Sequence, residues 1–276
     1  MSAIKNKIMQ ITEYQNLIEK NRSKFETYFE ELVSYNDKVN LTAITERNDV
    51  FTKHFLDSIL SIDAIGEGAE IVDVGTGAGF PSLPIKIVRP DVNITMVDSL
   101  NKRVTFLNYI CNRLKVKSTN VHARAEDFAK TNREKFDVAV ARAVAKLNTL
   151  LEYLLPLVKV GGIVIAYKGS NVGEEFMEAE NALEILGGKV VKSIRFDLPN
   201  NYGERHLVII EKIKETPKQY PRDTNQPKTN PIKYCFRFYT LSGHQIISIC
   251  KGEIFLFPTE NINFSIQGLN VYIFVI

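Results

Sequence analysis

The spacing of apolar residues divides this chain of 276 residues into a helical beginning and a longer alternating region. Between Ile18 and Val33, apolar residues recur at steps of three and four within a charged background. That period is typical of a helix that buries one face. Asn36-Asp37 interrupts it, residues 40–45 supply a turn and a helix start, and an amphipathic stretch around His54 follows. We therefore expect helices over residues 1–65.

From residue 70 onward, short apolar runs alternate with amphipathic helical stretches. The pattern predicts strands at 70–74, 94–98, 119–122, 136–141, 162–167, 190–196 and 205–211. It predicts helices at 81–89, 101–115, 146–158 and 173–186, with Gly161-Gly162 marking the end of the third of these. Such alternation implies a parallel sheet with right-handed crossovers. The last two strands follow one another through a loop at 199–203, so one strand near the sheet edge is expected to be antiparallel.

The composition changes twice near the end of the chain. Residues 214–233 hold four of the ten prolines and almost no apolar residues, so we expect an extended basic tail that cannot fold alone. Residues 234–276 hold nine of the 27 aromatics in short β-like runs, at 234–241, 245–250 and 271–276. The expected division is a helical extension at 1–65, an α/β domain at 66–213, a tail at 214–233 and an appendage at 234–276.

The most informative stretch is residues 71–81, where a short apolar run breaks into alternating glycines. Asp73 lies in the run, and Gly75, Gly77 and Gly79 follow in a G-x-G-x-G spacing. Glycines at such positions let the backbone approach a ligand closely. Dinucleotide-dependent dehydrogenases have G-x-G-x-x-G instead. The difference favours a loop that holds the methionine and ribose of S-adenosylmethionine, although a glycine-rich turn in another α/β domain would give the same pattern.

A second acid supports an adenosyl cofactor. Asp98 ends the predicted strand at 94–98, nineteen residues after Gly79. Nucleotide-binding α/β units place an acid about 20 residues beyond the glycine loop, where it accepts hydrogen bonds from ribose hydroxyls. Asp98 could instead cap the following helix, but Ser99 or Asn101 could serve there as well. An adenosyl cofactor is therefore the leading hypothesis.

Composition narrows the classes of protein that fit. No apolar run approaches the roughly 18 residues of a membrane span, and the first ten residues lack the apolar core of a signal peptide. The three cysteines show neither a disulfide framework nor the paired spacing of a zinc site. A net charge of +3 by itself argues little about nucleic acid. We expect a cytoplasmic protein that uses an organic cofactor and no metal.

A set of motifs occurs in a specific order along the chain. They are Asn40 to Ile44, His54 with Asp57-Ser58, Asp73 to Pro84, Asp98 to Arg103, Arg124 to Glu126, Ala141 to Ala145, and Lys168-Gly169. Together they resemble the RsmG (GidB) family, bacterial methyltransferases that form 7-methylguanosine in 16S ribosomal RNA. The resemblance covers roughly residues 14–232. Its motifs are much narrower than the pattern of methyltransferases in general.

The resemblance implies a fold and a set of cofactor contacts. The fold is the class I, Rossmann-like domain of S-adenosylmethionine-dependent methyltransferases, with a mostly parallel seven-stranded sheet and one antiparallel strand near its edge. Gly75 and Phe80 are implied to contact S-adenosyl-L-methionine, while Ala125 and Glu126 line its adenine. Arg142 is implied to face the methionine end and the substrate cleft.

Some roles stay open at this point, and two departures from the family stand out. Glu126 could also act as a first-turn acid favoured by the helix dipole, and Arg142 could form a structural salt bridge. Position 141 is alanine where the family usually has serine. Residues 233–276 have no counterpart in the family, whose chains usually stop in the proline-rich tail.

The implied reaction needs positioning more than acid–base chemistry. Guanine N7 carries a lone pair and no proton, so in-line methyl transfer requires alignment and no general base. We therefore expect Arg142 to position the reacting groups. Because N7 lies in the deep, narrow major groove of A-form RNA, the guanosine must occupy a loop, an end or an opened structure.

Several cations are candidates to hold the phosphates of the substrate. They are Lys102, Arg103, Lys168 and the cations of residues 212–233. His54 is either a further RNA contact or a packed or helix-capping histidine. The expected partner is 16S ribosomal RNA or the assembled small ribosomal subunit, with the protein acting as a monomer away from membranes.

Two other functions are compatible with the same motifs. One is a class I methyltransferase that acts on another RNA, a protein or a small molecule. For a small molecule or a protein, we would expect a closed apolar pocket and no salt-dependent RNA binding. The other is a non-catalytic module that binds S-adenosylmethionine or RNA without turnover.

Overall fold

The structure, a computed structural model, describes residues 9–232 and the backbone of three short strands at 235–239, 246–250 and 253–256. Seven strands form the central sheet: β1 Glu70–Val74, β2 Asn93–Asp98, β3 Thr119–His122, β4 Phe136–Arg142, β5 Val158–Lys168, β6 Gly188–Asp197 and β7 Glu204–Lys212. Their order is β3-β2-β1-β4-β5-β7-β6, and β7 is antiparallel to both of its neighbours. The predicted class I fold is confirmed, with the reversed strand one place in from the edge.

Helices surround this sheet throughout the described part of the chain. They are α1 Ile11–Lys20, α2 Arg22–Val39, α3 Arg47–Asp49, α4 Asp57–Ile59, α5 Ser82–Val88, α6 Asn101–Leu114, α7 Ala125–Thr131, α8 Leu147–Leu154, α9 Val172–Leu186 and α10 Gln226–Thr229. A π-helical segment, Val50–Leu56, joins α3 to α4. Within the described residues, no helix has the length and apolar character that a bilayer span requires.

Two local predictions about breaks in these elements are wrong. Helix α2 runs through Asn36-Asp37, and the Oδ1 atom of Asn36 accepts hydrogen bonds from the N–H groups of Leu41 and Thr42 at 2.7 and 2.9 Å. The polar pair therefore marks the last turn of α2. Gly161-Gly162 lies within β5, where a Cβ at Gly162 would come 2.7 Å from the carbonyl oxygen of Asp137. Gly162 thus allows a close approach between strands, Gly161 has a positive φ of 87° in open space, and neither glycine ends a helix.

Two apolar layers cover the two faces of the sheet. On one face the N-terminal helices pack together with α5 and α6, and Phe25, Tyr28, Leu32 and Phe55 are fully buried there. On the other face α7, α8 and α9 pack over alternate residues of the same strands. The expected boundary at residue 65 thus separates two kinds of secondary structure that share one core.

Residues 213–232, which we call the C-terminal strap, do not form the extended free tail that the sequence suggested. Four of the strap's residues are buried: Thr216, Pro221, Pro227 and Ile232. Arg222 donates from Nε and Nη2 to the fully buried carboxylate of Glu152 in α8, at 2.9 and 2.7 Å. Arg133 donates to the carbonyl oxygens of Thr216 and Tyr220. Polar anchors thus replace the apolar surface that this segment lacks.

The appendage forms a small sheet of its own in the part that is described. The backbone of β8 Cys235–Tyr239, β9 Ile246–Cys250 and β10 Glu253–Leu256 pairs in antiparallel fashion in the order β10-β9-β8. Strand formation within the runs at 234–241 and 245–250 is therefore confirmed. The predicted run at 271–276 lies outside the described residues.

Candidate active site

The glycine loop that follows β1 has a conformation that requires its glycines. Gly75, Gly77 and Gly79 all have positive φ, at 72°, 61° and 101°. A Cβ at Gly75 would lie 2.8 Å from Cγ2 of Val144, and one at Gly79 would lie 2.8 Å from the hydroxyl oxygen of Tyr28. The loop therefore touches both the segment after β4 and helix α2, and larger residues would push these neighbours apart.

The carboxylate of Asp73, near the end of β1, anchors this loop through hydrogen bonds. Its Oδ2 atom accepts hydrogen bonds from the hydroxyl of Thr76 and from both the N–H and the hydroxyl of Ser82, at 2.7 to 3.1 Å. Its Oδ1 atom is buried and has no partner among the described residues. Burial raises the pKa of Asp73 to about 7. The carboxylate thus ties the loop to the start of α5 and keeps one acceptor atom free.

A cavity of about 300 Å³ opens above the loop at the carboxyl ends of β1, β2 and β3, and we call it the glycine-loop pocket. The predicted cofactor residues Gly75, Asp98, Ala125 and Glu126 all line it. Ligands of open α/β sheets bind at this edge, outside the carboxyl ends of the strands. The structure thus brings together four residues that the sequence places in three separate motifs.

Asp98 caps helix α6 and ties it to the glycine loop, and it keeps the capacity for the predicted ribose contact. Its Oδ1 atom accepts the N–H of Leu100 at the start of α6, and its Oδ2 atom accepts the N–H of Gly77 at 2.9 Å. Arg103 also reaches Oδ2, at 3.3 Å. A carboxylate has about four acceptor sites, so Asp98 can still bind a ligand hydroxyl. Arg103 is half-buried against Asp98, whereas Lys102 is exposed on the same helix and open to phosphates.

Glu126 begins α7 and lies at the other end of the glycine-loop pocket. It is 4% exposed, and its Oε1 atom accepts the N–H of Asn225 in the C-terminal strap at 3.3 Å. Arg124 lies 3.7 Å from the same oxygen. Strap and domain therefore meet at the carboxylate that the family resemblance assigns to adenine.

A second cavity, of about 580 Å³, lies next to the first, and we call it the arginine pocket. Arg142, at the carboxyl end of β4, donates from Nη1 to Oδ2 of Asp57 at 2.8 Å and to the carbonyl oxygens of Lys53 and His54. Its guanidinium carbon lies 5.0 Å from the ring centre of Phe80. Arg142 thus forms the structural salt bridge and also lines the cavity.

The side chain of His54 is packed and neutral. Its ring stacks on Phe80 with centroids 4.5 Å apart, Nδ1 lies 3.2 Å from Nη2 of Arg142, and Nε2 lies 2.9 Å from the hydroxyl of Thr42. Burial, and then the charge of Arg142, lowers the pKa of His54 to about 3. With both ring nitrogens engaged, the packed role fits His54 better than an RNA contact.

Two of the predicted contacts occupy positions that differ from the expectation. Phe80 is buried between the rings of Tyr28 and His54, so it supports Arg142 and does not line either pocket. Lys168 is 8% exposed, and its Nζ atom donates to the carbonyl oxygen of Ala145 and to Glu175 at 2.8 and 2.6 Å. A cation that is buried and paired in this way fits a wall of the arginine pocket better than a phosphate contact.

The two pockets share the wall formed by Val144 and Ala145. This wall follows Ala143, which has a left-handed φ of 56°. The Lys168–Glu175 pair holds its far end, because Glu175 also accepts the N–H of Leu147 at 2.7 Å. A group bound in one pocket therefore lies directly beside a group bound in the other.

Comparison with known proteins agrees with this geometry. A family model described as rRNA small subunit methyltransferase G (GidB) matches residues 21–208. The chain belongs to this family. It is 48% identical over 223 residues to a Lactobacillus acidophilus protein named ribosomal RNA small subunit methyltransferase G, covering 78% of this chain and 93% of that protein. A protein of the same name from Lactococcus lactis is 46% identical over 230 residues, covering 81% and 96%.

Membership in the methyltransferase G family confirms the RsmG (GidB) resemblance and the enzyme class, a methyltransferase that depends on S-adenosylmethionine. The residues of the glycine-loop pocket fit this cofactor. Asp98 and Glu126 are acceptors suited to ribose hydroxyls and an exocyclic amine, and Gly75 has no side chain to obstruct the approach. The described residues contain no group of three or more His, Cys, Asp or Glu side chains that could hold a metal ion.

Several residues of the site in this methyltransferase G family member escaped the sequence analysis. They are Tyr28, Lys53, Arg205 and Asn225, while Lys228 was named only among the cations of residues 212–233 that could hold phosphates. Tyr28 donates to the carbonyl oxygen of Ala78 in the glycine loop at 2.5 Å, across 50 residues of sequence. Arg205 lies 3.4 Å from the second oxygen of Asp57. None of these residues stands in a local pattern that indicates a site, because the fold alone brings them there.

Proposed function

We propose that this chain transfers a methyl group from S-adenosyl-L-methionine to N7 of a guanosine in 16S ribosomal RNA. The names of the curated relatives support small-subunit ribosomal RNA as the substrate. The choice of N7 rests on the chemistry of the arginine pocket. The proposal includes action as a monomer in the cytoplasm, where ribosomal RNA is found in bacteria.

The observation that carries the proposal is the state of the acids and the imidazole in the arginine pocket. Asp57 is paired with Arg142, Glu175 with Lys168, and His54 is neutral with both ring nitrogens engaged. The second oxygen of Asp57 has no hydrogen bond among the described residues but lies 3.4 Å from Nε of Arg205, so each of the three groups already faces a cation or a hydrogen-bond partner. Methylation of guanine N7 releases no proton from the nucleophile, so a site of this kind suits that atom.

Each part of the site then has a role in this reaction. The cofactor supplies an electrophilic methyl group on a sulfonium. Asp98 and Glu126 hold its adenosine half, while Asp73 keeps the glycine loop in place through Thr76 and Ser82. Arg142, fixed by Asp57 and by its position on Phe80, orients the base in the adjoining pocket. Alignment of this kind supplies a large part of the rate enhancement in such transfers.

The charge of the arginine pocket favours RNA over a small apolar substrate. Its lining includes five cations: Lys53, Arg142, Lys146, Lys168 and Arg205. Lys146 is well exposed, and Lys53 lies over the ring of Tyr202, 4.2 Å from its centre. An exposed cationic rim beside the base pocket suits a phosphate backbone. The closed apolar cavity expected for a small-molecule methyltransferase does not match this lining.

The proposal is tested by analysing ribosomal RNA nucleosides from cells with and without the protein. We expect 7-methylguanosine at one position of 16S ribosomal RNA to disappear when the protein is absent and to return with the wild-type gene. A parallel reaction with purified protein, labelled cofactor, and either naked 16S RNA or small subunits identifies the form of the substrate. A methyl group on an oxygen or on an exocyclic nitrogen of the product would refute the choice of N7.

A further inference from the structure

The C-terminal strap reaches a pocket that its composition did not suggest. Asn225 and Lys228 of the strap line the glycine-loop pocket, opposite the motif residues Gly75 and Asp98. We propose that the strap is a wall of the cofactor site, and that Asn225 and Lys228 help to bind the adenosyl group. This inference rests on the proposed use of S-adenosylmethionine, and it assigns a cofactor role to residues outside every family motif.

The contact with Glu126 gives the strap its first role. The backbone N–H of Asn225 donates to Oε1 of Glu126 at 3.3 Å, and the side-chain oxygen of Asn225 accepts a hydrogen bond from Arg124 at 3.3 Å. Asn225 has a left-handed φ of 52°, a conformation that asparagine tolerates better than most residues. The strap thereby fixes one oxygen of Glu126 and determines how its carboxylate faces the adenine.

The anchors of the strap are strong enough to keep this wall in place. Glu152 in α8 is fully buried and accepts three hydrogen bonds from Arg222, at 2.7 to 2.9 Å. On the other side of Asn225, the carbonyl oxygen of the buried Pro227 accepts the hydroxyl of Thr149 at 2.9 Å. Both anchors lie on α8, so the segment from Arg222 to Pro227, which contains Asn225, is fixed on both sides by one helix.

Lys228 gives the strap its second role. It follows Pro227 in α10 and is exposed, apart from lining the glycine-loop pocket. An ammonium group has three donors and no acceptor. Ring nitrogens and hydroxyl oxygens of an adenosyl group are acceptors, whereas Asp98 and Glu126 can only accept. Lys228 therefore adds a side-chain donor to those of Ser99 and Arg124, the motif residues with side-chain donors that line the same pocket.

The test uses calorimetry to measure binding of S-adenosylmethionine to the full-length wild type and to its K228A, K218A and Asp98→Ala variants. We expect K228A to weaken binding about three- to tenfold, the loss of a single hydrogen bond. K218A is the matched control, because Lys218 is an exposed lysine of the same strap outside the pocket, and its affinity should equal that of the wild type. Equal affinities for K228A and the wild type would overturn the role of Lys228.

A charge-preserving change tests the strap as a whole. R222K keeps the charge but loses the bidentate contact with Glu152, so we expect weaker cofactor binding and faster amide hydrogen exchange at residues 222–229. The salt dependence of RNA binding should not change. R195K, on the exposed edge strand, is the control. Unchanged cofactor affinity in R222K, with faster exchange in the strap, would show that the strap does not contribute to the site.

Failure of this inference is distinguishable from failure of the proposed function. Asp98→Ala removes a motif residue and should weaken cofactor binding about ten- to a hundredfold, because hydrogen bonds to charged acceptors are stronger. If the wild type itself does not bind S-adenosylmethionine, the proposed function is wrong. If the wild type binds, Asp98→Ala weakens binding and both strap variants do not, the inference alone is wrong.

Discussion

The glycine-loop pocket and the arginine pocket share one wall, but they are assembled in different ways. Most motif residues of the first lie within one stretch, from Gly75 to Glu126, at the ends of three neighbouring strands; Val144 and Ala145 complete them, and Asn225 and Lys228 of the strap are the distant members. The second combines residues from the N-terminal helices, β4, β5, α9 and β7, which extend from Ile44 to Arg205. A cofactor site can thus be specified by local spacing, whereas the substrate site depends on long-range packing around Arg142.

The two pockets also differ in the charged and polar groups that they present to a ligand. In the glycine-loop pocket, Asp98 and Glu126 leave acceptor capacity open, and Asp73 below it keeps one oxygen without a partner among the described residues. In the arginine pocket, Asp57 and Glu175 form ion pairs with Arg142 and Lys168, and the Oδ1 atom of Asp57, which accepts no hydrogen bond from the described residues, lies 3.4 Å from Nε of Arg205. One pocket is prepared to accept hydrogen bonds from a neutral adenosine, and the other presents positive charge.

The largest expected effect follows from deletion of the chain after Lys212. This deletion removes the wall of the glycine-loop pocket and leaves Glu152 buried without Arg222, a loss worth about 3–5 kcal/mol. We expect a sharp drop in the free energy of unfolding, measured by urea denaturation, with weaker RNA binding as a further result. The cations of residues 212–233 predict weaker RNA binding with a flatter salt dependence, and the buried anchors of the strap add the loss of stability. A truncated protein as stable as the full chain would show that the strap is dispensable.

The next largest effect is expected for Gly75→Val, which should abolish cofactor binding in folded protein. A Cβ at position 75 would lie 2.8 Å from Cγ2 of Val144, and Gly75 has a positive φ, so a branched side chain would displace the wall beside the cofactor. In Gly75→Ala, the additional change Val144→Ala should restore part of the affinity by calorimetry. Gly173→Ala, with open space around its Cβ, is the control. Undiminished binding in Gly75→Val contradicts the assignment of the loop.

Sequence reasoning succeeded where the determining interactions are local. All seven strands of the central sheet were predicted. The glycine spacing and Asp98 indicated an adenosyl cofactor, the family resemblance implied that Glu126 lines its adenine, and the structure brings these residues together in one pocket. Composition misled at the strap, since a segment poor in apolar residues can still be held by a few buried polar anchors. Lys168 was misjudged for the same reason: a lysine at a sheet edge carries no sign of the acid, Glu175, that pairs with it.

A third effect, on the arginine pocket, is expected for Arg142→Lys. Lysine keeps the charge but cannot reproduce the planar fork that holds Asp57 and lies over Phe80. We expect turnover to fall about a hundredfold, because small misplacements of reacting groups have effects of that size. Overall RNA affinity should change far less, since many phosphate contacts share it.

Arg113→Lys, on the exposed surface of α6, is the matched control for Arg142→Lys, and it should leave turnover unchanged. Arg142→Ala is expected to lower turnover at least as far. It also removes the partner of the buried Asp57, so its stability must be measured in parallel. Equal losses of turnover and of RNA affinity in Arg142→Lys would indicate a simple binding residue.

Smaller and opposite effects of pH are expected in the two regions. Burial raises the pKa of Asp73 to about 7. Between about pH 4 and 7 the native state therefore keeps a proton that the unfolded state has lost, and the free energy of unfolding falls as pH rises through this range. Burial and Arg142 lower the pKa of His54 to about 3, so stability is lost as pH falls below about 6.5. The two contributions partly cancel in the wild type.

Variants separate these two contributions. Between about pH 4 and 6.5, stability should rise more steeply with pH in Asp73→Asn than in the wild type, and the rise should flatten or reverse in His54→Gln. Denaturant unfolding at several pH values measures both slopes. Identical slopes in all three proteins would mean that neither group titrates as its burial suggests. The methylation rate should show no ionisation that mutation traces to His54, because His54 stays neutral.

The smallest effect is expected for deletion after Ile232, which should leave methylation unchanged. Ile232 is buried at the end of the strap, so this deletion keeps the whole wall of the glycine-loop pocket. The relatives match 78 to 81% of this chain with 93 to 96% of their own length, so the reaction needs no additional segment in them. Turnover on 16S RNA, compared between this truncation and the full chain, checks the expectation. Loss of activity in folded protein truncated after Ile232 would mean that residues 234–276 take part in the site. The comparison between the cofactor pocket and the substrate pocket would then have to include these residues.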